Sequence, residues 1–353
     1  MSFNGEVAPL ALRSPGAGRI LWRCFSYLRP YWRQTIGAYL SLLGTNFLAL
    51  AIPQFIRWIV DQGIRGHDTQ LLGWSVMALL GLTLIKGGLS FLQGRWTEIA
   101  SQGVAYDLRN AIHQKLSALS FSYHDHTETG QLLSRAVQDV ERIRFLTGRA
   151  FLRLTDGLLL FMGTAAILIW MNPPLAALAL ATMPILAWRA LHFGRHFRPL
   201  SLAIQQQLGV LTTRLEQNLR GARIVKAFAQ EENESARFDR ENHRWFELSA
   251  QAARLQALNI PLMDLIANVG FVFILWYGGL LVVREKLTLG EMVAFSTYLT
   301  QLIQPVRRLG MIISAVAQAI AAGERIFEIL DAVSEVRDAP DAIELPPVRG
   351  HVR

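Results

Sequence analysis

Apolar stretches recur along the chain at close to the length of about 20 residues that a helix needs to cross a hydrocarbon core. Residues 34–56 carry no charge, and residues 69–94 carry Lys86 alone. Residues 157–188 are again uncharged but are split by Asn172-Pro173-Pro174, and residues 265–283 and 292–306 complete the series. With the Asn-Pro-Pro break read as a turn, the pattern predicts six crossings, the sixth being the shortest apolar run. Two segments between the runs are polar but not patternless. Val104, Leu108, Ile112, Leu116 and Leu119 recur at spacings of four and three, as do Leu208, Leu211, Leu215 and Leu219. Both sets form a helical stripe without a proline. The membrane helices are therefore expected to continue beyond the bilayer, turn at a short tip and come back.

Prolines punctuate the apolar runs. Pro53, Pro184 and Pro305 fall inside or near the end of crossings, where they can kink a helix. Pro261 is expected at the first turn of the fifth helix. Past Val306, residues 309–322 are rich in small side chains, which let helix backbones approach closely. An amphipathic helix is expected over 323–330, then an exposed linker over 331–347 with Pro340, Pro346 and Pro347, and the start of a strand at 350–353.

Composition agrees with a membrane protein. The chain is 52% hydrophobic and only 18% charged, against about a quarter charged in a typical soluble domain. The net charge of +8 is a topology signal instead of a nucleic-acid footprint. Arg13, Arg19, Arg23, Arg29 and Arg33 precede the first run, and most other basic residues lie in 95–153, 189–254 and after 306. The opposite side receives Arg57, Arg65, Arg284 and Lys286. The positive-inside rule then places both termini and both long connections in the cytoplasm, and the expected location is a bacterial inner membrane. The lone cysteine, Cys24, excludes an internal disulfide, and the polar N-terminal residues do not resemble a cleaved signal peptide.

Chemical motifs are few. The sequence has no G-x-x-x-x-G-K-[ST] phosphate loop, no paired Cys/His spacing and no nucleophile constellation, so no catalytic, metal or cofactor residue is assigned. Ionisable residues at membrane depth are expensive and mark candidate pathways. Lys86 and Asp264, with Asn268 one turn further on, are the candidate translocation path.

Two segments at the tips resemble a known family. Residues 121–135 (FSYHDHTETGQLLSR) followed by Asp139-Val140 resemble the first intracellular loop of ATP-binding cassette (ABC) exporters, and 216–238, with Gly221, Val225-Lys226-Ala227-Phe228 and an acidic run, resemble the second. Leu287 to Phe295 with Pro305, and Ala322 to Phe327, resemble the sixth span and its exit. The resemblance implies an all-α membrane protein of the type-1 exporter fold, six transmembrane helices with two long helical cytoplasmic extensions. Its parts would be an N-terminal segment with an elbow helix (1–33), the membrane domain (34–330), and a linker with the start of an absent nucleotide-binding domain (331–353). Coupling tips would be His124, Asp125, His126, Thr127, Glu128, Thr129 and Gly130, and then Glu231, Glu232, Asn233, Glu234, Ser235, Ala236, Arg237 and Phe238. ATP and Mg²⁺ are expected on the nucleotide-binding domain, not on this chain. Implied partners are a second copy or homologous half-transporter, an ABC nucleotide-binding domain, the lipid bilayer and a hydrophobic or amphipathic substrate; nucleic acid is not one. A channel or regulator of the same fold, or a membrane-anchored scaffold, is the alternative.

Overall fold

The computed structural model describes residues 16–336, 341–343 and 350. The described residues fold as helix throughout, joined by short turns. In chain order, α1 covers Ala17–Ser26, α2 Trp32–Trp58, α3 Thr69–Ala118, α4 Phe121–Asp125, α5 Thr129–Ser134, α6 Val140–Phe145 and α7 Phe151–Met171. There follow α8 Pro173–Arg220, α9 Ala222–Ala227, α10 Glu231–Phe273, α11 Gly279–Val283 and α12 Leu289–Asp331. Short π-helical turns, such as Ile59–Ile64 and Ile274–Gly278, run some of these together. Five continuous helices are long and apolar enough to cross a membrane: Arg29–Ile64, Thr69–Ala118, Gly130–Met171, Pro173–Arg220 and Glu231–Val283. These five are counted among the described residues, and the 43-residue α12 is not one of them.

The chain divides into two compact units. One comprises residues 41–91 and 153–313. Its core is built on α12, where Phe295, Tyr298, Leu299 and Leu302 are fully buried at helical spacing. Leu168 of α7, Leu175, Ala179, Met183 and Leu186 of α8, and Met263 of α10 complete it. The turn from α7 into α8 forms as expected. The Asn172 side chain accepts a hydrogen bond from the Leu175 N–H at 3.1 Å, and Pro173 and Pro174 occupy the first turn, where no amide partner is needed. α8 and α10 then run side by side away from this core, joined by Gln207 Nε2, which donates to Glu241 Oε2 at 2.7 Å.

The other unit comprises residues 16–40, 92–152, 314–336, 341–343 and 350 among those described. Val104, Leu108 and Ile112 of α3 are fully buried against Val140 and Ile143 of α6, Ala319, Ile326 and Phe327 of α12, and Cys24 of α1. Here the first predicted stripe is the core itself.

Two expectations change. Only Leu211 of the second stripe is buried, while Leu208, Leu215 and Leu219 are half or more exposed. Two helices alone have one mutual seam, and among the described residues of its unit no third element covers the rest of the stripe. Pro261 does not open a helix but lies inside α10. The polar and apolar parts of that helix are continuous, so the change of composition marks the membrane boundary and not a helix start. The linker and strand expected at 331–353 fall largely outside the described residues.

Candidate functional site

The first tip is a tight double turn. Leu119 closes α3, α4 crosses as a single short helix, and α5 begins the return. His124 Nε2 bonds the Leu116 carbonyl at 3.0 Å, and His126 Nδ1 bonds the Ser122 carbonyl at 2.7 Å. Gln131 Nε2 donates to Glu128 Oε2 at 3.1 Å. These bonds hold the tip's backbone while leaving His124, Asp125, His126 and Glu128 exposed. Thr127 is half-buried; Thr129 and Gly130 open α5. Beside the tip lies a groove of about 570 Å³ lined by His113, Leu116, Leu119, Phe121, His124 and Val336. Phe121 stands almost wholly exposed at its edge.

The second tip is built differently from its expected form. The short crossing helix is α9, carrying Val225-Lys226-Ala227, and Glu231 to Phe238 form the opening turns of the long returning helix α10. Ala229, between them, adopts φ 50°, the left-handed conformation that reverses the chain. Glu231, Glu232 and Glu234 sit in the first turn of α10, where the helix dipole favours negative charge. Arg237 pairs with Glu234, and Lys226 reaches Glu231 at 3.9 Å. Glu232, Asn233, Ser235 and Ala236 are exposed.

The three pathway candidates are not brought together. Lys86 is half-buried on α3 and forms no ion pair among the described residues. Asp264 pairs with Arg307 of α12 at 2.6 Å, so its charge is answered within the chain. Asn268 is exposed one turn beyond it. A further carboxylate, Asp156 of α7, accepts from Asn46 Nδ2 at 2.7 Å and was not anticipated.

Two polar clusters escaped the sequence reading. The first ties the exit of α12 to its surroundings. Asp139, 4% exposed, accepts from Nε and Nη2 of the Arg325 guanidinium at 2.7 and 2.6 Å and pairs with Arg142 at 2.9 Å. One turn on, Glu328 pairs with Arg135 at 3.0 Å, and Asp331 takes the Arg23 guanidinium of α1 in two bonds of 2.6 and 2.8 Å. These bonds lower the Asp331 carboxyl below its usual range, whereas burial pushes the Cys24 thiol up to about 12. The signal was present: the Ser-Arg and Asp-Val of the first tip and the Glu-Arg-Ile-Phe of the exit are the two halves of this clamp. No distance in sequence, however, says which arginine meets which aspartate.

The second cluster joins the π-helical turn after α2 to the start of α12. Thr288 caps α12 reciprocally with Glu291, the Thr288 N–H donating to Glu291 Oε2 at 2.8 Å and the Glu291 N–H to Thr288 Oγ1 at 3.0 Å. The Thr-x-x-Glu spelling is the signature of a capping box. Asp61 accepts from the Thr288 hydroxyl at 2.7 Å and from the Gly290 N–H at 2.9 Å. Arg57 reaches Glu291 at 2.8 Å and Asp61 at 4.0 Å. Below them the Tyr298 hydroxyl donates to the Leu50 carbonyl at 2.5 Å, close to the amide missing at Pro53.

No group of three or more His, Cys, Asp or Glu side chains among the described residues could hold a metal ion. The geometry is that of long helices with exposed turning points, and comparison with known proteins agrees. A family model described as the ABC transporter transmembrane region matches residues 35–306. The chain belongs to this family. This ABC transmembrane chain is 30% identical over 335 residues to an uncharacterised ABC transporter ATP-binding protein, YknV, of Bacillus subtilis, covering 94% of the chain and 55% of that relative. It is 29% identical over 348 residues to an ATP-dependent lipid A-core flippase of Syntrophus aciditrophicus, covering 99% of the chain and 58% of the flippase. A second flippase of that name, from Desulfotalea psychrophila, is 27% identical over 330 residues. The chain spans about half the length of the curated relatives it matches.

Proposed function

We propose that this ABC transmembrane chain is the pathway-forming half of an ATP-driven exporter, working as a pair with a second copy or a homologous half. The observation that carries the reading is the exit clamp. Three ion pairs fasten the last turns of α12 to α1 and to the helix returning from the first tip. A force applied to the tip and a force applied through the residues following Asp331 therefore act on one braced body. That is the arrangement an ATPase domain needs if its closure is to move membrane helices as a rigid switch.

In this reading α12 provides the sixth crossing and the termini face the cytoplasm of a bacterial inner membrane. The part of α3 beyond Arg95 projects about 35 Å at 1.5 Å per residue. His124 to Gly130 and the groove beside Phe121 rest on one ATPase domain, and the α9 turn with Glu231 to Phe238 rests on another. ATP and Mg²⁺ would be held by those domains. Lys86, Asp264 and Asn268 are candidates for the path of a hydrophobic or amphipathic substrate, and the flippase names among the relatives support a lipid-like one.

Vectorial, ATP-dependent movement of a fluorescent amphipathic lipid across vesicles carrying the intact transporter tests this. No movement above an ATP-free control sinks the exporter reading. Docking is tested separately by a cysteine at Glu232, expected to crosslink to the ATPase domain in at least one nucleotide state. Lys86→Ala and Asp264→Ala are expected to weaken substrate stimulation of ATP hydrolysis; if neither alters it, these residues are not the path.

A further inference from the structure

We infer that Asp156, set in place by Asn46, is a recognition point for a positively charged ammonium group, so that the substrate is an amphiphile bearing an amine. The inference rests on the exporter reading and names the substrate chemistry within it. Residues 157–188, which follow Asp156 in the chain, carry no charge, and Asn46 stands in the middle of the uncharged run 34–56. A carboxylate beside such runs is expensive unless a cation answers it. In the same unit Asp61 and Glu291 have Arg57, and Asp264 has Arg307. Asp156 has no ion-pair partner among the described residues, and Arg153, one turn earlier on α7, makes no bond to it. The bond it accepts comes from the neutral Asn46 amide at 2.7 Å.

Asn46 shows what is missing. It is 6% exposed, and its Nδ2 is committed to the Leu42 carbonyl at 3.1 Å as well as to Asp156. Its Oδ1 is buried without a hydrogen-bond partner. Oδ1 and Nδ2 share one amide carbon, so the orphan oxygen belongs to the same small patch as the carboxylate. The patch therefore offers acceptors and no free donor. A primary ammonium brings three donors and the opposite charge. A hard divalent cation asks for six or more oxygens, which this pair does not supply, and no metal-holding group of His, Cys, Asp or Glu occurs among the described residues. Asp156 is half-buried, so a ligand can reach the carboxylate while the amide behind it stays closed. The location suits a substrate. A Cβ on the adjoining Gly157 would meet Pro305 at 3.3 Å, which puts this part of α7 against the stretch of α12 that carries Arg307 and its partner Asp264.

Stimulation of ATP hydrolysis by the intact transporter in lipid nanodiscs is read with two probes, a long-chain primary amine and its neutral N-acetyl counterpart. The amine is expected to reach half-maximal stimulation at about tenfold lower concentration. Asp156→Asn is expected to bring the two concentrations together, and Asp156→Glu to keep part of the preference. Asn46→Ala is expected to narrow the gap through the half-maximal concentration and not the maximal rate, as a positioning residue should. A second arm needs no substitution. A membrane-soluble carbodiimide activates carboxyl groups, and a bound amine then forms an amide with the carboxyl it faces, releasing a urea. Peptide mass spectrometry of the unmodified protein is expected to find the amine joined to Asp156, and an excess of the N-acetyl compound is expected not to compete. Equal half-maximal concentrations in the parent, a preference that survives Asp156→Asn, or no adduct at Asp156 overturns the inference. Any of these with ATP-driven lipid movement intact leaves the exporter reading standing; absence of that movement sinks both.

Discussion

Asp139 has almost no contact with water, and two guanidinium groups meet on it. Its replacement by alanine strands both, but Arg325 and Arg142 keep 39% and 42% of their side chains exposed and can turn to solvent. The cost is therefore expected to be about 1–3 kcal/mol, less than for a fully enclosed pair. A drop in detergent melting temperature for Asp139→Ala, exceeding that of Arg325→Ala, checks it. Asp331 gives a pH signature. The Arg23 bonds lower its folded pKa, so the stabilisation is complete above the unfolded carboxylate value of about 4 and fades as pH falls through the lowered folded value. Asp331→Asn should remove that acid-side increment from a plot of melting temperature against pH. Cys24 is buried in the core of its unit with its thiol held protonated. Maleimide at neutral pH is expected to label it only after denaturation; rapid labelling of the folded protein would contradict the packing.

At the scale of the element, spacing and composition carried different amounts of information. Asn172-Pro173-Pro174 announced its turn because cap and prolines act within three residues of each other. Asn172→Ala is expected to cost about 1 kcal/mol of stability, readable as a fall in melting temperature. The stripe on α3 was legible and is buried, since α6, α12 and α1 all converge on it. The equally regular stripe on α8 is mostly uncovered. Periodicity reports that a helix has an apolar face, not whether this chain supplies enough neighbours to hide it. Pro261 misled because a proline beside an apolar run resembles a helix start, when the run itself began in mid-helix. Gly290 marks a contact between elements that no local rule reveals. Gly290→Ala brings a Cβ against the Arg57 carbonyl, a backbone atom that cannot rotate away. A loss of about 1–3 kcal/mol is expected in the same assay, despite alanine's better helix propensity.

For the whole molecule, the class of protein was visible in hydropathy because lipid imposes a constraint that reaches the sequence directly, the run length of each span. Of the six crossings expected, five appear among the described residues as helices long and apolar enough to span a membrane, and the family match over residues 35–306 agrees with the resemblance the motifs carried. The pairings within the polar clusters were not visible. They join residues such as 61 and 288, or 139 and 325, whose meeting is a property of the packed bundle. The exit clamp makes a mechanical prediction at this scale. Under the proposed exporter reading, charge reversal at Arg135, Arg325 and Arg23 together in the intact transporter is expected to leave ATP hydrolysis running while transport falls. A ratio of transport to hydrolysis unchanged from the parent would show that the bracing carries no force.

The Asp139–Arg325 pair also has a consequence for descent. A lineage that changes Asp139 alone leaves Arg325 without its bidentate partner, and one that changes Arg325 alone leaves a secluded carboxylate with Arg142 as its remaining ion-pair partner. Neither intermediate is comfortable, so the two sites are bound to a shared history. Among distant relatives, inherited replacements at these positions are expected in matched sets, with opposite charges exchanged or both lost together.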